Sequence, residues 1–197
     1  MLRSITAAIA ACLLLAGCNS TASQVSSHRD KAGSSRPAGR PTDTAAPEPT
    51  STLAPGSCHA SSLDPATTHP DPHCTPGALN PAVTQANIHN TICISGYTKT
   101  IRPPVAYTDA LKRQQIREYG YTDTSPRSYE EDHFIPLSLG GAPRDPQNLW
   151  PEPGASPNPK DDIEFKLYKA VCAGTVTLAA AQKAITTDWT TAGQIIH

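Results

Sequence analysis

Helical spacing of apolar residues marks three stretches of this chain, and a shorter cluster between them breaks that period. From Thr108 to Tyr119 the inward positions are Leu111 and Ile116, Thr108 can cap the first turn and Gly120 suits the left-handed position after the last, so a helix is expected. A second helix is expected from Pro159, with Asn158 as its cap, proline at the first helical position, and an inward stripe of Ile163, Leu167, Ala170 and Val171. A third runs from Leu178 to Trp189, capped by Thr177, with Trp189 as a core anchor. Thr91 to Ile101 reads as a strand or extended arm. Between the first two helices lies a hairpin: strand one from Tyr129 to Ile135, a loop through Gly140 to Gln147, and strand two from Asn148 to Trp150. The Pro-Glu-Pro-Gly-Ala-Ser-Pro that follows is read as irregular, because proline removes ladder donors. The expected fold class is α+β, a hairpin followed by a helix with flanking helices.

The other end of the chain has a different texture. Met1 to Cys18 carries Arg3, an apolar run from Ala7 to Leu15, and then Leu15-Ala16-Gly17-Cys18. A run this short does not span a bilayer and has the layout of an export signal. Its ending resembles a bacterial lipobox, which implies that Cys18 is acylated, becomes the mature N-terminus and anchors the chain to the cell membrane or envelope. Residues 19–57 are rich in Ser, Thr, Ala and Pro without aliphatic periodicity, and read as a disordered tether that cannot offset its ordering entropy. Residues 58–197 remain as one folded domain, large enough for a single core and free of internal repeats.

Cysteine usage agrees with export. Setting aside Cys12 in the signal and Cys18, the domain has Cys58, Cys74, Cys93 and Cys172, an even number that implies disulfides in an oxidising compartment. No Cys-x-x-Cys pair is present to support a zinc site. Four cysteines allow three connectivities. The pairing we favour is Cys58 with Cys74, closing a short Pro-rich loop, and Cys93 with Cys172, pinning the C-terminal helices to the segment before the hairpin.

The chemistry concentrates in the hairpin. Glu131-Asp132-His133-Phe134-Ile135-Pro136-Leu137-Ser138-Leu139-Gly140-Gly141, followed by Asn148-Leu149-Trp150-Pro151, sets an acid and an imidazole side by side and returns an amide after a Gly-Gly turn. The Asp offers a hard oxygen ligand, and His133 has an ordinary pKa near neutrality. A lone Asp-His pair is more often a solvated turn; here the apolar residues around it and the nearby Asn148 argue otherwise. Residues 129–165 resemble the HNH endonucleases of the ββα-metal superfamily. Cys74-Thr75-Pro76-Gly77-Ala78, Thr91-Ile92-Cys93, Gly96-Tyr97-Thr98, Arg102-Pro103, Lys160-Asp161, Val171-Cys172-Ala173-Gly174 and Asp188-Trp189 look like an exported bacterial group of HNH-like proteins.

That resemblance implies hydrolysis of a phosphodiester with one divalent cation, Mg²⁺ or Mn²⁺ ahead of Zn²⁺. In it, His133 is the general base, Asn148 holds the loop and orients His133, and Asp132 binds the metal. Family members take a third metal group from the start of the helix after the hairpin, where Asn158 and Asp161 are both candidates. Arg144 or Arg127, and Lys160, are candidate phosphate contacts, although each reads more readily as a surface charge. Asp161, Asp162 and Glu164 suit the positive end of the helix dipole regardless of catalysis. His59, His69, His73 and His89 read as solvent-exposed. Nucleic acid, DNA ahead of RNA, is the expected partner besides the membrane, and no obligate protein partner is evident. From Cys58 onward acidic side chains outnumber basic ones, which runs against a nucleic-acid binder. Two readings therefore stand: an exported HNH nuclease, and a catalytically weak scaffold of the same fold used as a binding or structural lipoprotein.

Overall fold

A computed structural model of the chain describes residues 53–196. The expected export signal with Cys18, and the expected tether up to residue 52, lie outside the described residues. Residues 53–57, expected to belong to a disordered tether, bond to the domain that follows, Gly56 N–H donating to Arg117 O at 2.9 Å.

The described residues form helices and one small antiparallel sheet, an α+β arrangement. Helices α1 (Tyr97–Ile101) and α2 (Val105–Glu118) precede strands β1 (Tyr129–His133) and β2 (Leu149–Pro153), and α3 (Pro159–Cys172) and α4 (Leu178–Asp188) follow. The disulfides are Cys58–Cys74 and Cys93–Cys172, with Cα–Cα distances of 6.0 and 5.6 Å, ordinary for such bonds.

Three local expectations need correction. The 91–101 segment is a series of turns ending in α1, not an extended arm; Gly96 enters α1 at φ 86°, and Tyr97 and Ile101, four apart, turn the same half-buried side inward. Helix α2 begins three residues before Thr108, because Pro104, with its fixed φ, serves as the N-cap residue, while the Thr108 hydroxyl donates to Val105 O. The prolines after Trp150 belong to β2. Phe134 N–H donates to Asn148 O, and Gly154 N–H to Ser128 O, so the hydrogen-bonded pairs fall at even positions. Pro151 and Pro153, opposite Glu131 and Tyr129, point their nitrogens away from the partner strand and leave no ladder bond unmade.

The core lies where α3 and α4 meet the hairpin. Leu167, Ala170 and Val171 of α3 and Ala181 and Ile185 of α4 are buried with Ile92, Ile135, Leu139, Trp150 and Trp189, while Ile163 is half-buried. Trp189 is the anchor expected of it, its indole donating to Thr68 O at 2.6 Å. Gly140 and Gly141 turn the chain between the strands for different reasons. Gly140 is left-handed at φ 76°, whereas a Cβ on Gly141 would come within 1.8 Å of Ile135 O.

Candidate active site

Strand alternation explains how the site is assembled. Even residues of β1 face one way, and the register sets Asp132 opposite Trp150 and Glu130 opposite Glu152, so three carboxyl groups share one face of the hairpin. Helix α3 starts against that face. Asn158 caps it, its Oδ1 accepting from Lys160 N–H at 2.8 Å and Asp161 N–H at 3.3 Å. Asp161 Oδ2 accepts from Asn158 N–H at 3.0 Å, closing a reciprocal capping box. The Asn158 amide then donates to Glu130 and Glu152 at 3.0 and 3.2 Å and binds the helix start to the sheet.

Lys160 fills the space that remains. Its side chain is fully buried, and its ammonium donates to Asp132 Oδ2 at 2.8 Å, to His133 O at 3.1 Å, and to the Glu164 carboxylate one turn along the helix. Burial works against that charge, yet Asp132, Glu164 and Glu152 together raise its pKa above the ordinary lysine value. Burial likewise opposes ionisation of Asp132, and Lys160 overcomes it and holds the carboxylate below its usual pKa. Glu152 goes the other way: burial and the Asp132 charge push it up to about 9, so it is protonated at neutrality and shares a hydrogen bond with Asp132. Burial raises Glu164 to about 7 against the pull of Lys160.

His133 and Asn148 are placed by backbone groups. His133 Nε2 lies 3.1 Å from Pro143 O, and since a carbonyl only accepts, Nε2 carries the proton and Nδ1 keeps its lone pair. Burial is the main cause that lowers the imidazole pKa, with Arg102 and Lys160 adding to it against Pro143 O and Asp132. The fully buried Asn148 side chain accepts from Ile135 N–H at 2.9 Å and donates to Ile135 O and Ala142 O, both at 3.0 Å. Every bond goes to backbone flanking the loop that carries Pro143. Asn148 is thus a clasp that sets His133 through Pro143, and touches no reacting group itself.

A cleft of about 120 Å³ opens between β1, α1 and the start of α3, lined by Thr98, Arg102, Glu130, Glu131, Asp132, His133, Asp161 and Glu164 among others. It shares Thr98, Ser138, Asp161 and Glu164 with a larger cavity of about 410 Å³ toward Ile94, Phe165 and Tyr168. The expected residues Asp132, His133 and Asp161 do meet at this cleft. Lys160 does not offer its ammonium to a phosphate, because burial and three oxygen partners engage it. Neither Arg144 nor Arg127 is in the lining, whereas Arg102, an exposed guanidinium after α1, is. Of the other histidines His59, His73 and His89 are exposed, while His69 is half-buried with Nε2 3.2 Å from Asp188.

A divalent ion between Asp132 and the helix start would meet donors that are already engaged. Asn158 Oδ1 serves as the cap, Asp161 Oδ2 completes the capping box, and Asp132 Oδ2 holds Lys160. Among the described residues no three His, Cys, Asp or Glu side chains are grouped to hold a metal. As folded, the donor set does not fit a resident ion at that position. Glu130, Glu152 and Arg102 join the site without a site role on sequence grounds, and of these only Glu130 is signalled there, by its alternation with Asp132.

No protein-family model, curated protein or solved structure matches the chain. Among the described residues no helix is long and apolar enough to cross a membrane.

Proposed function

We propose that this protein is a phosphodiester hydrolase of HNH type, acting on nucleic acid outside the cytoplasm from a lipid anchor at Cys18. The observation that carries the reading is the His133 imidazole, held by Pro143 O in the tautomer that leaves Nδ1 basic, at a polar cleft beside the Asp132 carboxylate. A lowered pKa keeps that base neutral at physiological pH, as a general base requires. In the reaction Nδ1 takes a proton from water, and the water oxygen forms a bond to phosphorus. The bond from phosphorus to the leaving oxygen breaks, and that oxygen takes a proton from solvent. Arg102 is the cation at the cleft that meets the phosphate, taking the place given to Arg144 and Lys160 on sequence grounds. The acidic lining confines binding to a short stretch of strand, because neighbouring phosphates are repelled.

Export agrees with the two disulfides, which persist in oxidising compartments. One observation favours the scaffold reading: Lys160 neutralises the carboxylate that an HNH enzyme gives to its metal. Plasmid DNA, single-stranded DNA and RNA, each incubated with the wild type and with His133→Ala, separate the two. Cleavage by the wild type that falls by at least ~10² in the variant supports the hydrolase. No cleavage of any of the three, with or without added Mg²⁺ or Mn²⁺, leaves the scaffold.

A further inference from the structure

The oxygens around Lys160 Nζ form an ion-binding geometry already filled by the chain's own cation. Two carboxylates, Asp132 from the hairpin and Glu164 from α3, and one carbonyl, His133 O, converge on a single point that is fully buried. Hard oxygen donors from separate elements, with a buried carbonyl among them, are what a divalent ion such as Mn²⁺ or Mg²⁺ takes. We propose that the Lys160 ammonium is a built-in cation occupying the metal position of the hairpin-helix site, so that the wild-type cleft binds no divalent ion at Asp132. The inference builds on the HNH reading of this hairpin and helix, and it makes Lys160 a positioning residue.

Two features beyond the ion pair support this. First, the neighbouring acids are arranged for one positive charge and no more. Asn158 crosslinks Glu130 and Glu152, which leaves Asp132 and Glu164 to the ammonium. Second, Lys160 comes from the first turn of α3, and its backbone N–H is fixed by the Asn158 cap, so its stem enters the core at a set angle. Leaving this position would strand two carboxylates inside the protein, an outcome that costs several times what the pair contributes.

The test is a titration of purified protein with Mn²⁺, followed by calorimetry and by the loss of the free-ion paramagnetic resonance signal, on the wild type, Asp132→Asn and Lys160→Ala. The expected result is no specific uptake by the wild type, and one Mn²⁺ per chain in Lys160→Ala, bound at least ~10-fold more tightly than any wild-type uptake, since the vacated point keeps its oxygens. One Mn²⁺ bound by the wild type and lost in Asp132→Asn overturns the proposal. So does a folded Lys160→Ala that binds none, because the vacated point is then not an ion position. Should Lys160→Ala fail to fold, the wild type and Asp132→Asn still decide the matter. Ion binding is read without any substrate, so failure to find cleavage would count against the hydrolase and leave this result standing.

Discussion

Truncating Asn148 tests the loop clasp most directly. In Asn148→Ala the Ile135 N–H loses its acceptor, and the carbonyls of Ile135 and Ala142 lose their donor, all at a fully buried position. An unsatisfied buried group costs ~1–3 kcal/mol. Three such groups, partly relieved by entering water, give a loss of about 3–6 kcal/mol out of the roughly 5–15 kcal/mol typical of a domain. At ~2–4 °C per kcal/mol, the melting temperature should fall by about 6–24 °C. Denaturant unfolding with the disulfides intact measures this, because Trp150 and Trp189 are both buried and their fluorescence reports the core. Asn148→Asp sharpens the test: it keeps the acceptor for Ile135 N–H but turns an anionic oxygen toward two carbonyls. At neutral pH it should be at least as destabilising as alanine, with partial recovery at low pH once the carboxyl can donate. A loss under about 1 kcal/mol for Asn148→Ala would refute the clasp, since one net hydrogen bond alone accounts for that much.

Three further outcomes follow from the site and the frame. Arg102→Ala should raise KM for a phosphodiester substrate far more than it lowers kcat, measured by initial rates at several ionic strengths, whereas Arg144→Ala, outside the cleft lining, should change neither. Glu152 binds a proton up to about pH 9 when folded, against an ordinary value of 4.5, so between these values the native state holds more protons than the unfolded chain and stability falls as pH rises. Glu152→Gln should therefore flatten that fall, gaining on the wild type at pH 8–9 and little near pH 5 in paired denaturation curves. Replacing Cys93 and Cys172 by serine should cost about 4 kcal/mol, and replacing Cys58 and Cys74 about 3 kcal/mol, because the first bond closes a loop of 79 residues and the second one of 16. Equal costs would count against loop closure as the source.

The hairpin and the two long helices after it were legible because each is specified locally. Asn158 and Pro159 start α3, Thr177 caps α4 with its side chain on Ala180 N–H, and Gly120 at φ 63° stops the chain after α2. The pairing of the four cysteines is one of three that the sequence allows, and it closes the Pro-rich loop and ties the C-terminal helices to the segment before the hairpin. The misreadings concern proline and context. Proline after Trp150 reads as a strand breaker, yet in a two-stranded sheet every other residue of each strand turns its nitrogen outward, and Pro151 and Pro153 occupy such positions. The 91–101 segment has β-branched residues that suit a strand, but no partner strand reaches it among the described residues, and short-range turns take over.

The site was legible in its members and illegible in its charge balance. Two Asp/Glu–Lys pairs lie four residues apart in the same helix, Lys160 with Glu164 and Asp162 with Lys166. The second is the ordinary surface pair, with side chains 55% and 70% exposed at 2.6 Å. The first is buried and sets the ionisation of Asp132. Spacing alone does not distinguish them, but helix phase does. Lys160 lies seven residues, two full turns, before Leu167 and so falls in the middle of the inward stripe, while Lys166 sits at its edge and Asp162 on the opposite side. A lysine in phase with buried leucine and valine has to bring its charge to a partner inside, and the carboxylate within reach of the first turn of α3 is Asp132, on the adjoining face of β1. The pair Lys160 and Asp132 thus belongs to the folding of the hairpin onto the helix before it belongs to any chemistry, and in the proposed hydrolysis the catalytic roles fall to His133 and Arg102.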